Sequence, residues 1–363
     1  MTKIFRWLPV PFWCYFLPMI ASSLGWLPRE SGFYTFVSRQ ILPVCLVLLL
    51  IGTDLKTLSR IGGKAAALML AGAVGTILGA FASFFLYKPF LPAGSWGAVG
   101  ALTGSWIGGS ANMLAVKEAL EVPDALIGPV IILDAVVAYS WMGLLIAAAA
   151  WQEKWDRRVT RPESVPAQAT SRVPVLPGLF EKGEERGASA GALYGLRSLI
   201  FAILLSWIAQ RTAGRLPIFP GFTASTWTVV LVTTAALALA ATPLRRLGES
   251  GASRIGTWAL YLLLVTIGAR ADLRAVLTAP VFLLLGLTWI AVHGLVLLAA
   301  GYFCRAPLGL IATASQANIG GVVSAPMVGA SYSKELAGLG LLMAVLGNIL
   351  GTYLGLMTGW ALR

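Results

Sequence analysis

The sequence predicts an all-α membrane protein that crosses the bilayer many times. Three observations lead to this fold class. Of the 363 residues, 58% are apolar and 12% are charged, a composition that excludes an ordinary soluble domain and a disordered chain. Nine apolar runs approach the ~20 residues that span a hydrocarbon core, and landmarks in the first half of the sequence return in the second. The lipid bilayer is therefore the expected surrounding of this chain.

The predicted spans are apolar runs bounded by charged residues, Pro or Gly. They cover residues 7–27, 37–55, 65–87, 125–150, 193–210, 224–243, 255–269, 279–303 and 337–361. The stretch 151–190 is rich in charged residues and prolines, which is typical of a solvent-exposed linker. We therefore divide the chain into an N-terminal membrane repeat (1–150), a cytoplasmic linker (151–190) and a C-terminal membrane repeat with one extra helix (191–363).

An internal repeat is indicated by three landmarks that recur in the same order. The copies lie 212 to 218 positions apart, so the three matches share nearly one diagonal. The landmarks are Ile51–Leu55 with Ile267–Leu273, Ile107–Gly109 with Ile319–Gly321, and Asp134 with Asn348. Each match is weak alone, but the set predicts a duplicated unit. Transporters built from such repeats place the substrate near the bilayer midplane, where broken helices of both units meet.

The two Gly-Gly landmarks predict interrupted helices with polar surroundings. A glycine inside a helix costs roughly 1 kcal/mol relative to Ala, and irregular backbone persists in a membrane only beside protein or a watery cavity. Close helix packing alone would explain the glycines but not the polar residues around them. We therefore predict a substrate site made by Thr103, Ser105, Gly108, Gly109, Ser110, Asn112, Ser315, Gln316, Asn318, Gly320, Gly321 and Ser324.

The distribution of Lys and Arg indicates how these segments enter the membrane. The basic loop at residues 56–64 and the basic linker both belong on the cytoplasmic side. If residues 95–120 crossed the membrane fully, three crossings would separate the two, and the linker would lie outside. Re-entrant hairpins turning at Gly108–Gly109 and Gly320–Gly321 remove the conflict and give the repeats opposite orientations. We predict two inverted repeats with nine spans and two hairpins; eleven spans with broken helices that cross are the alternative.

Ionisable residues within the predicted spans are candidates for binding a coupling ion, H⁺ or Na⁺. Asp134 lies inside a predicted span. A carboxyl group is energetically costly there, so a functional role is the first hypothesis for it. With its repeat mate Asn348 it is expected to bind a coupling H⁺ or Na⁺; the alternative is a purely structural Asp hydrogen-bonded to the Gly-rich segment. Asp54 and Asp272 stand at helix ends near basic residues and are expected to form interfacial salt bridges. His293 is expected to be a buried, hydrogen-bonded imidazole rather than a proton relay.

Several chemistries are not indicated by the sequence. The three cysteines, Cys14, Cys45 and Cys304, lie in or beside apolar runs without metal-ligand spacing, so no metal or cofactor is expected. The net charge of +12 is explained by basic cytoplasmic loops, so nucleic acid is not an expected partner. No H-E-x-x-H or G-x-S-x-G motif and no paired intramembrane Asp occurs in the chain. An enzyme is therefore not expected.

Four strings are more specific than the composition. They are Gly104-Ser105-Trp106-Ile107-Gly108-Gly109-Ser110-Ala111-Asn112, Ile267-Gly268-Ala269-Arg270-Ala271-Asp272-Leu273, Ala317-Asn318-Ile319-Gly320-Gly321 and Gly351-Thr352-Tyr353-Leu354-Gly355-Leu356. On these motifs, nearly the whole chain except the linker resembles the family catalogued as domain of unknown function 819. The resemblance implies a multi-pass protein of the inner (cytoplasmic) membrane with a transporter-like inverted-repeat fold. One departure is Val322-Val323-Ser324-Ala325, where the family tends to have Pro-Ala-Thr-Ala.

The function that the sequence predicts is secondary active transport. The expected solute is a small anionic or zwitterionic molecule, carried by alternating access and coupled to H⁺ or Na⁺. Helix N-termini and N–H groups at the Gly-Gly positions are expected to hold its negative group. The alternative is a passive channel or a non-transporting membrane partner protein whose Gly-rich segments only pack. By analogy with other inverted-repeat transporters, a homodimer is a candidate assembly.

Overall fold

The computed structural model describes residues 10–53, 61–159, 188–218, 223–248, 251–270 and 279–363, and every regular element in them is helical. The principal helices are α1 (Val10–Ser23), α2 (Gly32–Leu50, with a π-helical turn at Val37–Ile41), α3 (Gly63–Tyr87), α4 (Ser95–Gly108), α5 (Ser110–Ala119), α6 (Asp124–Ala147), α7 (Gln152–Val159), α8 (Ala188–Ala213), α9 (Ala224–Ala240), α10 (Ala252–Arg270), α11 (Ala279–Phe303), α12 (Leu308–Ile319), α13 (Gly321–Tyr332) and α14 (Lys334–Leu362).

Among the described residues, six helices are long and apolar enough to cross a membrane. These are α2, α3, α6 with its extension to Val159, α10, α11 and α14. The other three predicted spans contain α1, α8 and α9, of which α9 is a shorter apolar helix. The chain is a multi-pass, all-α membrane protein, as the sequence predicts.

The order of helices is the same in the two halves. Helices α1–α6 correspond one by one to α9–α14, and α3 and α11 are each 25 residues long. In both halves the fourth helix ends at the Gly-Gly landmark and a short fifth helix follows it. Helix α8 has no counterpart among the described residues of the first half.

The Gly-Gly landmarks are the tips of two helical hairpins. A Cβ on Gly97, near the start of α4, would lie 2.8 Å from Val122, just beyond the end of α5. In the second half a Cβ on Gly309, at the start of α12, would lie 2.8 Å from Tyr332 at the end of α13. The two arms of each hairpin therefore lie side by side, and their outer ends meet. This is the geometry of a helical hairpin.

The tips need glycine because the chain reverses there. Gly109 has φ 84° and Gly321 has φ 68°, in the left-handed region that residues with a Cβ rarely adopt. The 14 residues of α4 rise about 21 Å and the 12 residues of α12 about 18 Å. Each tip can therefore reach the middle of a ~30 Å hydrocarbon layer.

The helices form two bundles. The hairpin bundle consists of α3–α6 and α11–α14, in which α3 packs along α11 and α14 packs along α4 and α13. The side bundle consists of α1, α2 and α8–α10, in which α10 contacts α1 and α2 while α8 contacts α9. The two bundles meet mainly where α5 contacts α9. Each half of the chain thus gives its first two repeat helices to the side bundle and the other four to the hairpin bundle.

Helix α4 packs on α14 through two rows of glycine. The rows are Gly100, Gly104 and Gly108 on α4 and Gly347, Gly351, Gly355 and Gly359 on α14. A Cβ on Gly351 would lie 2.8 Å from the Cα of Gly108 and 2.9 Å from the carbonyl oxygen of Gly104. Only glycine lets two helix backbones approach so closely in a membrane protein. The first hairpin is therefore fixed to α14 backbone against backbone.

The predicted linker is described only at its two ends, because residues 160–187 lie outside the described part of the chain, as do Asp54 and Asp272. Its beginning is helical, since α7 covers Gln152–Val159. Trp155 Nε1 donates a hydrogen bond to the Ala306 carbonyl at 3.1 Å, and Asp156 Oδ1 accepts one from the Leu308 N–H at 2.9 Å. The beginning of the linker is thus attached to the base of the second hairpin, where Asp156 caps α12.

Candidate functional site

The first hairpin tip is closed by Asn112. Its side-chain nitrogen donates to the Gly108 carbonyl at the end of α4, and its side-chain oxygen accepts from the Thr352 hydroxyl on α14. Asn112 is buried, and both ends of its amide are used within the fold. Thr103 is also buried, and its hydroxyl donates to the Val99 carbonyl in its own helix at 3.0 Å. These two predicted site residues thus stabilise the hairpin itself.

Asp134 on α6 binds the same hairpin one turn before its tip. The Ser105 hydroxyl donates to Asp134 Oδ2 at 3.0 Å, and the indole Nε1 of Trp106 donates to Oδ1 at 2.9 Å. The carboxylate therefore accepts one hydrogen bond on each oxygen. Asp134 itself is partly exposed, whereas Ser105 and Trp106 are buried. A carboxyl group in this position can hold or release a proton without leaving the two donors that orient it.

Two further predicted residues lie at the first tip with hydrogen-bonding capacity to spare. Ser110 begins α5 and is partly exposed, and its hydroxyl bonds to none of the described residues. Asn348 on α14 places its side-chain oxygen 3.8 Å from the point where a Cβ on Gly109 would stand, and its amide likewise bonds to none of the described residues. Asn348 thus faces the tip, while its repeat mate Asp134 faces α4 one turn below it.

The second hairpin tip is arranged differently. Gln316 Nε2 donates to the Ser324 hydroxyl at 2.9 Å, joining the two arms across Gly320. Asn318 Nδ2 donates to the Ala314 carbonyl at 3.0 Å and to the Met69 carbonyl on α3 at 3.2 Å. The side-chain oxygens of Gln316 and Asn318 are buried and have no hydrogen-bond partner among the described residues. This tip therefore keeps two unused acceptors, in contrast to the amide of Asn112.

A buried histidine links the second hairpin to the helices around it. His293 on α11 is 0% exposed. Its Nδ1 lies 3.1 Å from the Gly72 carbonyl and 3.1 Å from the Thr76 hydroxyl, both on α3, and its Nε2 lies 3.0 Å from the Ser315 hydroxyl on α12. Because a carbonyl can only accept, the neutral ring with its proton on Nδ1 satisfies both nitrogens. His293 is therefore a hydrogen-bonded, buried imidazole, as expected.

Helix α6 connects both hairpins. Asp134 contacts the first, and seven residues later Trp141 Nε1 donates to the Ser315 hydroxyl of the second at 2.8 Å. Seven residues are two helical turns, so both side chains lie on one face of α6. On the neighbouring α11, Trp289 packs against Trp106 with ring centroids 4.9 Å apart. The polar groups of the two hairpins thus belong to one connected interior.

An ion-pair cluster lies between the two bundles, at the base of the first hairpin. Asp124 at the start of α6 pairs with Lys117 on α5 at 2.7 Å and with Arg270 at the end of α10 at 2.9 Å. The side chains of Lys117 and Asp124 are only 8% and 12% exposed. Two hydroxyl groups of α9 also cross between the bundles: Thr226 donates to the Ala119 carbonyl, and Thr234 bonds to Tyr353 at 2.8 Å.

Sequence reasoning missed several of these residues. Trp141, Thr76 and Trp289 carry no motif, and their partners are more than 100 positions away or on another helix, so their roles depend on the fold. Lys117 did carry a signal, because a charged residue in an arm of a predicted membrane hairpin is costly unless it is paired. Its partner Asp124 could then be sought at the start of the next span.

Comparison with known proteins identifies relatives along the whole chain. The family model described as "Protein of unknown function (DUF819)" matches residues 1–363. The "Uncharacterized membrane protein YjcL" of Bacillus subtilis is 29% identical over 361 residues, covering 94% of this chain and 86% of the relative. The name of this relative puts it in a membrane, in agreement with the six apolar helices described above.

Proposed function

The chain belongs to the DUF819 family, and we propose that this multi-pass membrane protein is a secondary active transporter of a small anionic or zwitterionic solute. One observation carries the proposal: each half of the chain sends a helical hairpin with a glycine tip into the same helix bundle, where α4 of one hairpin contacts α12 and α13 of the other. Paired broken helices at a repeat interface are the usual setting of a transporter's binding site.

The moving parts in this proposal are the two bundles. The hairpin bundle contains both tips and is held together by backbone packing and interior hydrogen bonds. Fewer contacts join it to the side bundle, and the polar ones are concentrated around Asp124, Arg270 and Thr226. Two inverted repeats of nine spans and two hairpins in the inner membrane allow a rocking or sliding motion that opens the site to either side in turn.

The solute is expected to bind at the hairpin tips. The breaks at Gly108–Gly109 and Gly320–Gly321 present the first N–H groups of α5 and α13, which favour a negatively charged group. Side chains with polar groups at these tips, including Ser110, Asn318 and Ser324, would contact the rest of the solute.

Asp134 is the proposed coupling residue, with Asn348 as its neutral counterpart. Its place on α6 inside the hairpin bundle and its two fixed donors make its carboxyl group a suitable carrier of H⁺ or a ligand for Na⁺. Cycling between charged and neutral forms would then link the orientation of the hairpin bundle to the ion gradient.

The test is a binding screen followed by uptake. The detergent-purified protein would be melted in Na⁺ and in choline buffers at two pH values, with carboxylates, amino acids, short peptides and sugar acids. A ligand raises the melting temperature in proportion to ln(1 + [L]/Kd). We expect a stabilising solute whose effect depends on Na⁺ or pH, and saturable uptake of it into proteoliposomes that an ion gradient drives.

The competing function, a passive channel, makes a different prediction in the same vesicles. A channel would pass the solute without saturation and without a response to the gradient. Uptake that is linear in solute concentration and equal in the presence and absence of a gradient would therefore reject the transporter.

A further inference from the structure

The last turn of α12 contains two buried amide oxygens that the fold does not use. Gln316 and Asn318 are 1% and 0% exposed, and their side-chain oxygens have no hydrogen-bond partner among the described residues. The orientation of the Asn318 amide is fixed by its neighbours. Its nitrogen faces the carbonyl oxygens of Met69 and Ala314, which can only accept, so the oxygen is the group left over.

The first hairpin shows that the fold can satisfy such a group. Asn112 lies on the other arm of the first hairpin, just beyond its tip, where the second hairpin has Ser324, and its oxygen accepts a hydrogen bond from Thr352. Buried polar groups in native proteins are nearly always paired, so an unpaired one calls for a partner of matching chemistry. Two unpaired acceptors on one turn call for a hydrogen-bond donor or a cation.

The surroundings of the second tip agree with a positively charged partner. The segment from 307 to 332 contains no Lys or Arg, so no basic side chain of the hairpin itself competes for the oxygens. The α12 end of the tip carries carbonyl groups and the negative end of the helix dipole, while the start of α13 opposes it. The unpaired side-chain oxygens of Gln316 and Asn318 therefore determine which sign of charge the second tip favours. Gly321 is buried, yet no neighbouring group lies within 4 Å of where its Cβ would stand.

We infer that the second hairpin tip binds a cationic group through the side-chain oxygens of Gln316 and Asn318. The group is either Na⁺ or the ammonium of a zwitterionic solute, since both are small cations that oxygen ligands recognise. The inference rests on the proposed transport function and revises it at the second tip. The positive group lies there, in place of the negative group that the N–H groups of α13 alone would favour, and the negative group lies at the α5 N-terminus beside Ser110. A separate H⁺ at Asp134 is compatible with this arrangement.

The experiment measures cation binding without transport. The purified full-length protein is melted in NaCl against choline chloride at equal ionic strength, with no solute present. A second series in choline buffer compares amino acids with the carboxylic acids that lack only the amino group. A saturable Na⁺ effect identifies the ion as the cation, and stabilisation by amino acids but not by their deaminated partners identifies the solute as its source.

The variants assign the effect to the tip. Gln316→Met and Asn318→Leu each remove one oxygen, and we expect either to weaken the cation effect about tenfold or more, as for a lost bond to a charged group. Gln316→Glu reverses the contact with Ser324, whose hydroxyl can donate to a carboxylate oxygen in place of accepting from the amide, and it adds a negative charge. It should therefore bind the same cation about tenfold more tightly, which guards against a merely unfolded variant. Gln152→Met on α7, outside both hairpins, is the matched control and should behave as the wild type.

The outcomes separate this inference from the transporter itself. If neither cation series stabilises the wild type, or if Gln316→Met and Asn318→Leu respond as the wild type does, the inference is wrong even where gradient-driven uptake is found. If the tip variants lose cation binding but no gradient drives uptake in the wild type, the cation site stands and the transport proposal fails.

Discussion

Replacing Asp134 by Asn separates the charge of this side chain from its hydrogen bonds. Trp106 can only donate to position 134, whereas the Ser105 hydroxyl can donate or accept. An Asn with its oxygen toward Trp106 and its nitrogen toward Ser105 therefore preserves both contacts at nearly the same volume. We expect Asp134→Asn to fold and melt close to the wild type, although it can no longer carry a proton or a negative charge.

Asp134→Ala serves as the contrasting variant. It leaves the Trp106 N–H buried without an acceptor, and an unsatisfied buried donor costs about 1–3 kcal/mol. The Ala variant should therefore be less stable than the Asn variant by about this amount, seen as a lower melting temperature in detergent. Equal melting temperatures for the two variants would show that the hydrogen bonds to Asp134 do not hold the first hairpin.

The functional assay uses the solute found by the binding screen. In proteoliposomes, Asp134→Asn should reduce gradient-driven uptake to the level of empty vesicles. Solute exchange with equal concentrations on both sides needs no net ion movement and should stay within about twofold of the wild type. Uptake at the wild-type level would refute the coupling role, and loss of both uptake and exchange by a stable Asn variant would assign Asp134 to solute binding instead.

Three further predictions concern the packing between helices. Gly351→Ala should destabilise the protein by about 1–3 kcal/mol, because its Cβ would meet the α4 backbone; Gly143→Ala on α6, where nothing lies within 4 Å, should be neutral or stabilising, and equal melting curves would contradict the packing. Arg270→Gln should remove the ion pair with Asp124 that joins the two bundles. At low salt, proteolysis or cysteine labelling at the bundle interface should then be faster than in the wild type. An unchanged rate would show that this ion pair does not hold the bundles together. His293→Phe should lower the melting temperature, because the polar groups of α3 and α12 that face the ring lose a partner, at a cost of about 1–3 kcal/mol for a buried group left unpaired; an unaltered melting temperature would show that the network contributes little.

The sequence was sufficient to predict the hairpins, because two independent signals agreed there. Paired glycines marked Gly108–Gly109 and Gly320–Gly321 as breaks, and the basic residues required the chain to return to the side from which it entered. Burial of His293 in a hydrogen-bonded environment was also predictable from its apolar neighbourhood. These features are local, or depend only on which side of the membrane a loop occupies.

The partners of these elements were not predictable, because they depend on which helices become neighbours. The glycine row of α4 is visible in the sequence, but nothing in one sequence says that it packs on the row of α14 rather than on another helix. The same is true of Arg270, which pairs with Asp124 on another helix, a partner that its neighbours in the sequence do not indicate. Contacts of this kind join positions more than 100 residues apart and follow from the packing of the whole bundle.

The predicted site residues fall into two sets, according to whether their hydrogen-bonding groups are already used within the fold. A solute or an ion can bind only through groups whose hydrogen-bonding capacity the fold has not consumed. Thr103 and Asn112 use their polar groups within the protein, so their replacement should act mainly on stability. The hydroxyl of Ser110, the amide of Asn348 and the side-chain oxygens at the second tip retain capacity, so their replacement should act mainly on binding. Melting temperature without solute, and its increase when solute is added, are therefore expected to sort the two sets of variants into different groups.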